Sequence, residues 1–84
     1  MSRKRHGPLP GDGWERWPHA LGYSTALGDL RADIAPEVRP GTGNLEWHAV
    51  VWRGDDRDQP LFEAWGYPRE AGVAARTYMQ ETAS

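Results

Sequence analysis

Residues 45–53, LEWHAVVWR, run for nine positions without glycine or proline. Val50, Val51, Trp47 and Trp52 are β-branched or aromatic, and such side chains fit a pleated, half-buried surface. Successive side chains on a strand point to opposite faces. Leu45, Trp47, Ala49 and Val51 therefore share one face, and Glu46, His48, Val50 and Trp52 share the other. The first set is wholly apolar and is expected to meet the core. The second mixes polar groups with Val50 and Trp52 and is expected to be half covered. A central strand with two unlike faces needs strand neighbours and one covering layer, which the remaining segments are read as supplying.

After the acidic turn GDDRDQ (54–59), PLFEAW (60–65) reads as the next strand, antiparallel because the connection is short. Leu61, Glu63 and Trp65 face one way, Phe62 and Ala64 the other, and Trp65 is expected near Trp52 or Trp47. Pro68 suits a first helical position and Glu70 a first turn. Ala71, Ala74, Ala75, Tyr78, Met79 and Thr82 then form a helical stripe. This predicts one helix from Pro68 to about Thr82, weakened by Gly72, with its alanine face on the sheet and tryptophans filling the volume. Ser24–Val38 has two readings. Ser24 can cap a helix with Leu27, Leu30 and Ile34 at helical spacing, or Leu27-Gly28-Asp29 can turn a hairpin whose second arm alternates. A glycine four residues into a short helix costs about 1 kcal/mol, which favours the hairpin. WERWPHALGY (14–23) is expected to be an irregular edge strand, since proline is tolerated at a sheet edge. The fold class read from this order is α+β: a small antiparallel meander of three to four strands with one C-terminal helix packed on one face.

Residues 1–13, MSRKRHGPLPGDG, lack an apolar period and are read as a flexible basic arm, leaving 14–84 as one α+β domain. The charge depends on that division. The chain has 10 basic and 12 acidic residues, net −2. Without Arg3, Lys4 and Arg5, seven basic residues face twelve acidic ones, so the domain stands near −5. Phosphate neutralisation dominates nucleic-acid affinity, so an acidic domain is a poor duplex binder. There is no cysteine, no run long enough to span a membrane, and no apolar segment after the basic N-terminus to make a secretory signal. A soluble, cytoplasmic protein is the expectation.

Tryptophan-rich strand, turn, strand ending in tryptophan-glycine, then an alanine-rich helix (LEWHAVVWRG, PLFEAWG, PREAGVAARTY) resembles the short β-meander-plus-helix proteins, rich in tryptophan and arginine, of high-GC actinobacteria and their phages. The nine arginines against one lysine fit such a genome. The resemblance implies a fold and a kind of genome; it transfers no activity and no site residues. If the chain is phage-encoded, a protein-binding role would have a host protein, such as a defence complex, as its target. The strand-strand-strand-helix order is also similar to the later part of double-stranded-RNA-binding domains. The lysine-rich helix start of that family is replaced here by Pro68-Arg69-Glu70.

Motifs that carry chemistry are weak. His6, His19 and His48 lack metal-ligand spacing, and the calcium-loop pattern fails because Pro60 stands sixth from Asp55. Ser2, Ser24 and Ser84 are in no nucleophile elbow. Glu46 and His48 share a strand face and could form a small acid–base pair, a salt bridge being the plainer reading. Neither an enzyme nor a cofactor or metal site is expected. The reading that best uses the surplus of aromatics is a small non-catalytic protein-binding module. Its contact surface would be Glu46, His48 and Trp52, with Arg53, Trp14 or Trp17 at the rim. One alternative is a single-stranded nucleic-acid binder using Arg3, Lys4 and Arg5 with exposed tryptophans. Another is a structural homo-oligomer formed through edge strands near Trp14 or Pro60.

Overall fold

The computed structural model describes residues 9–83. Arg3, Lys4 and Arg5 lie outside them. Among the described residues there are five strands and one helix: β1 Glu15–Arg16, β2 Tyr23–Leu27, β3 Leu30–Val38, β4 Leu45–Arg53, β5 Phe62–Gly66 and α1 Pro68–Ala83. The strands form one antiparallel sheet in chain order, β1-β2-β3-β4-β5. The α+β class and the single helix on one face are as expected. The strand count is five, because Ser24–Val38 is a hairpin and a two-residue β1 is added outside it.

Each element has a local cause. The β2–β3 turn is two residues long, with Leu27 opposite Leu30 and Gly28 at φ +62°. A glycine in that conformation at the first central position gives the backbone twist that two-residue hairpins need. The predicted edge strand at 14–23 is reduced to Glu15–Arg16 because residues 17–22 form a reversal, closed by Trp17 N–H donating to the Gly22 carbonyl at 2.9 Å. A Cβ on Gly22 would come within 2.4 Å of the Trp17 ring, so the indole lies directly across that glycine. β5 begins at Phe62, since Leu61 N–H and Phe62 both meet Val51, a bulge that absorbs one extra residue.

The core lies between α1 and one sheet face. It is built from Tyr23, Leu30, Ala32, Ile34, Ala49 and Val51 below and from Ala71, Ala75 and Met79 above, with Trp14 closing one side. Phe62 stacks on Tyr78 at 4.9 Å. The alanines allow helix and sheet to approach closely, and the larger strand and Met79 side chains occupy the space they leave. Gly72, which lowers helix propensity, is buried because Pro10 packs on it. The segment docked on the helix thus begins by Pro10, ahead of the boundary at Gly13 expected from the sequence.

Element lengths leave part of the sheet unsupported. Nine-residue strands reach about 30 Å and five-residue strands about 17 Å. β2 pairs with β3 only as far as Ile34, and β5 with β4 only as far as Trp47. Beyond those positions β3 and β4 continue alone, Glu37–Val38 against Leu45–Glu46, as a two-stranded ribbon closed by residues 39–44.

Candidate functional site

The overhanging ribbon has two unlike sides. On the side that faces α1 further along the sheet, Val38 and Leu45 stand on the ribbon, with Pro36 and Trp47 at its root. Pro36 is opposite Trp47 and Val38 opposite Leu45. Past the reach of the helix Val38 and Leu45 have little above them, at 63% and 71% exposed, whereas Trp47 packs against the core beside Tyr23. Leu45, expected in the core from the alternation, is therefore at the surface. The alternation assigned its face correctly, but that face outruns its cover.

The other side carries Glu37 and Glu46, with His48 just inboard, where β5 flanks β4. Glu37 and Glu46 are register partners, and like charges directly opposite are destabilising. Each has its own relief. Glu46 accepts from Arg39 at 3.2 Å, and Glu37 lies 3.3 Å from His48 Nδ1. His48 Nε2 is 2.8 Å from Glu63 on β5, and its ring stacks on Trp65, with centroids 3.9 Å apart and planes 6° from parallel. Both contacts are hydrogen bonds at once only when both ring nitrogens carry a proton, because carboxylates accept and do not donate. Glu46 and His48 thus do not pair with each other. Imidazole and carboxylates instead tie β3, β4 and β5 together across the face opposite the helix.

Further along that face lie Val50 and Trp52. Among the described residues no helix or strand covers it, yet both are buried, Trp52 to 8% exposure. The Arg57 guanidinium sits 5.2 Å over the Trp52 ring and is held by Asp33 at 3.1 Å. A shallow trough of about 530 Å³ beside Trp52 is lined by Glu15, Ser24, Arg31 and Asp33. It carries charges of both signs.

The six residues proposed from the sequence therefore divide. Glu46 sits on the ribbon's polar side with His48 just inboard of it, and Trp52 shares their sheet face but is covered rather than exposed. Arg53 belongs to the opposite face by alternation and pairs with Asp29 at 2.7 Å, because two residues one apart on a strand cannot share a face. Trp14 is 4% exposed within the helix-side core, and its Nε1–H has no protein acceptor. It is a core residue rather than a rim contact. Trp17 is half buried across Gly22. Trp65 lies directly opposite His48 and stacks on it, on the face away from Trp47. Of the five indoles, Trp14 and Trp52 are buried and Trp17, Trp47 and Trp65 are half buried.

Sequence reasoning missed Val38, Pro36, Glu37 and Glu63. The partnership of Glu63 with His48 follows from parity once the β4–β5 register is known. The exposure of Val38 and Leu45 follows only from the unequal strand lengths. Among the described residues no cluster of His, Asp and Glu is arranged to hold a metal ion, and no helix is long and apolar enough to cross a membrane. Comparison with protein-family models, with curated proteins and with solved structures finds no match to this chain.

Proposed function

We propose that the chain is a small protein-binding module without catalytic activity, and that it docks through the overhanging β3–β4 ribbon. The observation that carries the reading is the cross-strand pair Val38 and Leu45, 63% and 71% exposed, flanked by Pro36 and Trp47. An aliphatic pair on an unsupported ribbon gains when a partner covers it. Full burial of a Val or Leu side chain is worth about 1.5–3 kcal/mol, so covering what remains open of both contributes on the order of 3 kcal/mol. The partner fitting this surface is a protein with an apolar cleft and a basic border. Glu37 and Glu46 line the ribbon's other side, and the described residues carry seven basic groups against twelve acidic ones. Complementary charge steers such an encounter and sets its orientation.

The test is capture of a partner from cells by the intact chain and by two variants, Leu45→Ser and Val73→Ser. Val73 is 48% exposed on the helix and serves as the control. Both variants are expected to fold normally. Leu45→Ser should weaken capture about tenfold or more, the equivalent of about 1.4 kcal/mol, and Val73→Ser should leave it unchanged. Equal capture by all three, or a loss with Val73→Ser alone, refutes the reading.

A further inference from the structure

β5 is the last strand of the sheet, and among the described residues no strand pairs with its outer edge. The phase of the ladders tells which backbone groups face that edge. In an antiparallel ladder the N–H and C=O of one residue point to the same side, and the side alternates along the strand. Gly54 N–H donates to the Asp29 carbonyl at 2.8 Å, and Arg39 N–H donates to the Asn44 carbonyl at 2.8 Å. Both bonds continue the β3–β4 ladder, and both assign the even-numbered residues of β4 to β3. The Trp17–Gly22 bond, carried across β2 and β3, gives the same phase. The odd-numbered residues of β4 therefore bond β5 through their register partners Phe62, Ala64 and Gly66. Glu63 and Trp65 are left with N–H and C=O aimed at the open edge.

We propose that this edge joins a second copy of the chain, β5 against β5, in an antiparallel register centred on Ala64. In that register each Glu63 lies opposite Trp65 of the second copy, and each such pair exchanges two hydrogen bonds, four in all. Ala64 meets its own counterpart on the two-fold axis. That pair is not hydrogen-bonded, so its side chains come closest, and alanine is small enough for the approach. Phe62 falls opposite Gly66. A register centred on Glu63 would set two carboxylates face to face, which is destabilising. Strand 62–66 is thus complementary to itself, as the contact between two identical copies must be. The devices that usually blunt an exposed edge, proline and a bulge, come earlier at Pro60 and Leu61. The Glu63 carboxylate is turned to His48 Nε2 at 2.8 Å. A contact along one strand edge is small and belongs to the weak class, so it is sought at high concentration. It does not depend on the ribbon surface proposed above.

The test is sedimentation equilibrium of the full chain over a wide concentration range, alongside Glu63→Ala and Glu63→Pro. Both variants lose the His48 contact. Only proline removes the outward N–H, and it is tolerated at an edge position whose N–H faces solvent. Wild type and Glu63→Ala should rise toward twice the monomer mass, while Glu63→Pro stays monomeric with the circular dichroism of Glu63→Ala. A wild type that remains monomeric throughout, or a Glu63→Pro that associates as Glu63→Ala does, overturns the proposal. Hydrogen exchange on the wild type decides the matter if Glu63→Pro fails to fold. The Glu63 and Trp65 amides should slow as concentration rises while the Gly28 amide does not; rates independent of concentration overturn the proposal.

Discussion

Gly72→Ala separates two effects that act in opposite directions on α1. In an unencumbered helix the change stabilises by about 1 kcal/mol, since glycine is much the poorer helix former. Here the new Cβ would stand 2.4 Å from both the Cβ and the carbonyl oxygen of Pro10, and 2.8 Å from its Cα. Carbon atoms prefer separations of about 3.5–4.0 Å, so Pro10 would have to retreat by roughly 1 Å. Backbone atoms are among those struck, so no rotamer change relieves the clash. Pro10 is among the fully buried side chains, under 2% exposed, and its retreat loosens the docking of residues 10–13. Overpacking of this kind costs about 1–3 kcal/mol. Set against the gain in propensity, the expected net is a loss of about 1 kcal/mol, or a fall in melting temperature of about 4–8 °C for a domain of this size. Urea denaturation of the purified chain measures it. In a chain begun at Asp12, where Pro10 is gone, the same substitution should instead stabilise by about 1 kcal/mol. The coupling between the two changes is then about 2 kcal/mol, which residues in contact can show and distant ones do not. A full-length Gly72→Ala more stable than wild type would refute the packing of Pro10 on the helix.

Two further perturbations test other parts of the account. Met79 is fully buried between α1 and the sheet, so Met79→Ala should cost about 3 kcal/mol in chemical denaturation; a loss below about 1 kcal/mol would show that the helix does not rest there. Arg57→Ala removes the cation over Trp52 and an ion pair whose two side chains are 53% and 22% exposed. Solvent screening keeps the combined cost under about 1 kcal/mol. Acrylamide quenching of tryptophan should nonetheless increase, and unchanged quenching would mean that something other than Arg57 covers Trp52.

The parts of this fold that repeat at short range were legible from residue order. Alternation in LEWHAVVWR assigned the side chains from Leu45 to Trp52 to their correct faces, though Arg53 was grouped with the wrong one. Pro68, Glu70 and the alanine stripe located α1 to within a residue or two. The Gly28 turn favoured a hairpin for 24–38 but left a helix open, and the β2–β3 register is what settles it. What escaped depends on distances between segments. Leu45 reads as a core residue because nothing local says that β2 and β5 stop short of the hairpin tip. Gly72 reads as a flaw in a helix until Pro10 is seen to occupy the space its side chain would need. Trp14 and Trp52 are equally plausible as core or surface groups from composition; Trp14 joins the core between helix and sheet, and Arg57 lies over Trp52. Of the proposed surface, Glu46 and His48 were visible as neighbours on one strand face. Their partners Arg39, Glu37 and Glu63 come from the turn and from two other strands, so they required the register.

The claim on which the functional reading rests is that a partner covers the aliphatic side of the β3–β4 ribbon. The most direct measurement places a photo-crosslinking residue at position 45, and in a parallel chain at position 73, and irradiates both in the cells that make the protein. The account predicts one discrete crosslinked protein from position 45 and none from position 73. The same product from both positions, or from position 73 alone, would contradict it.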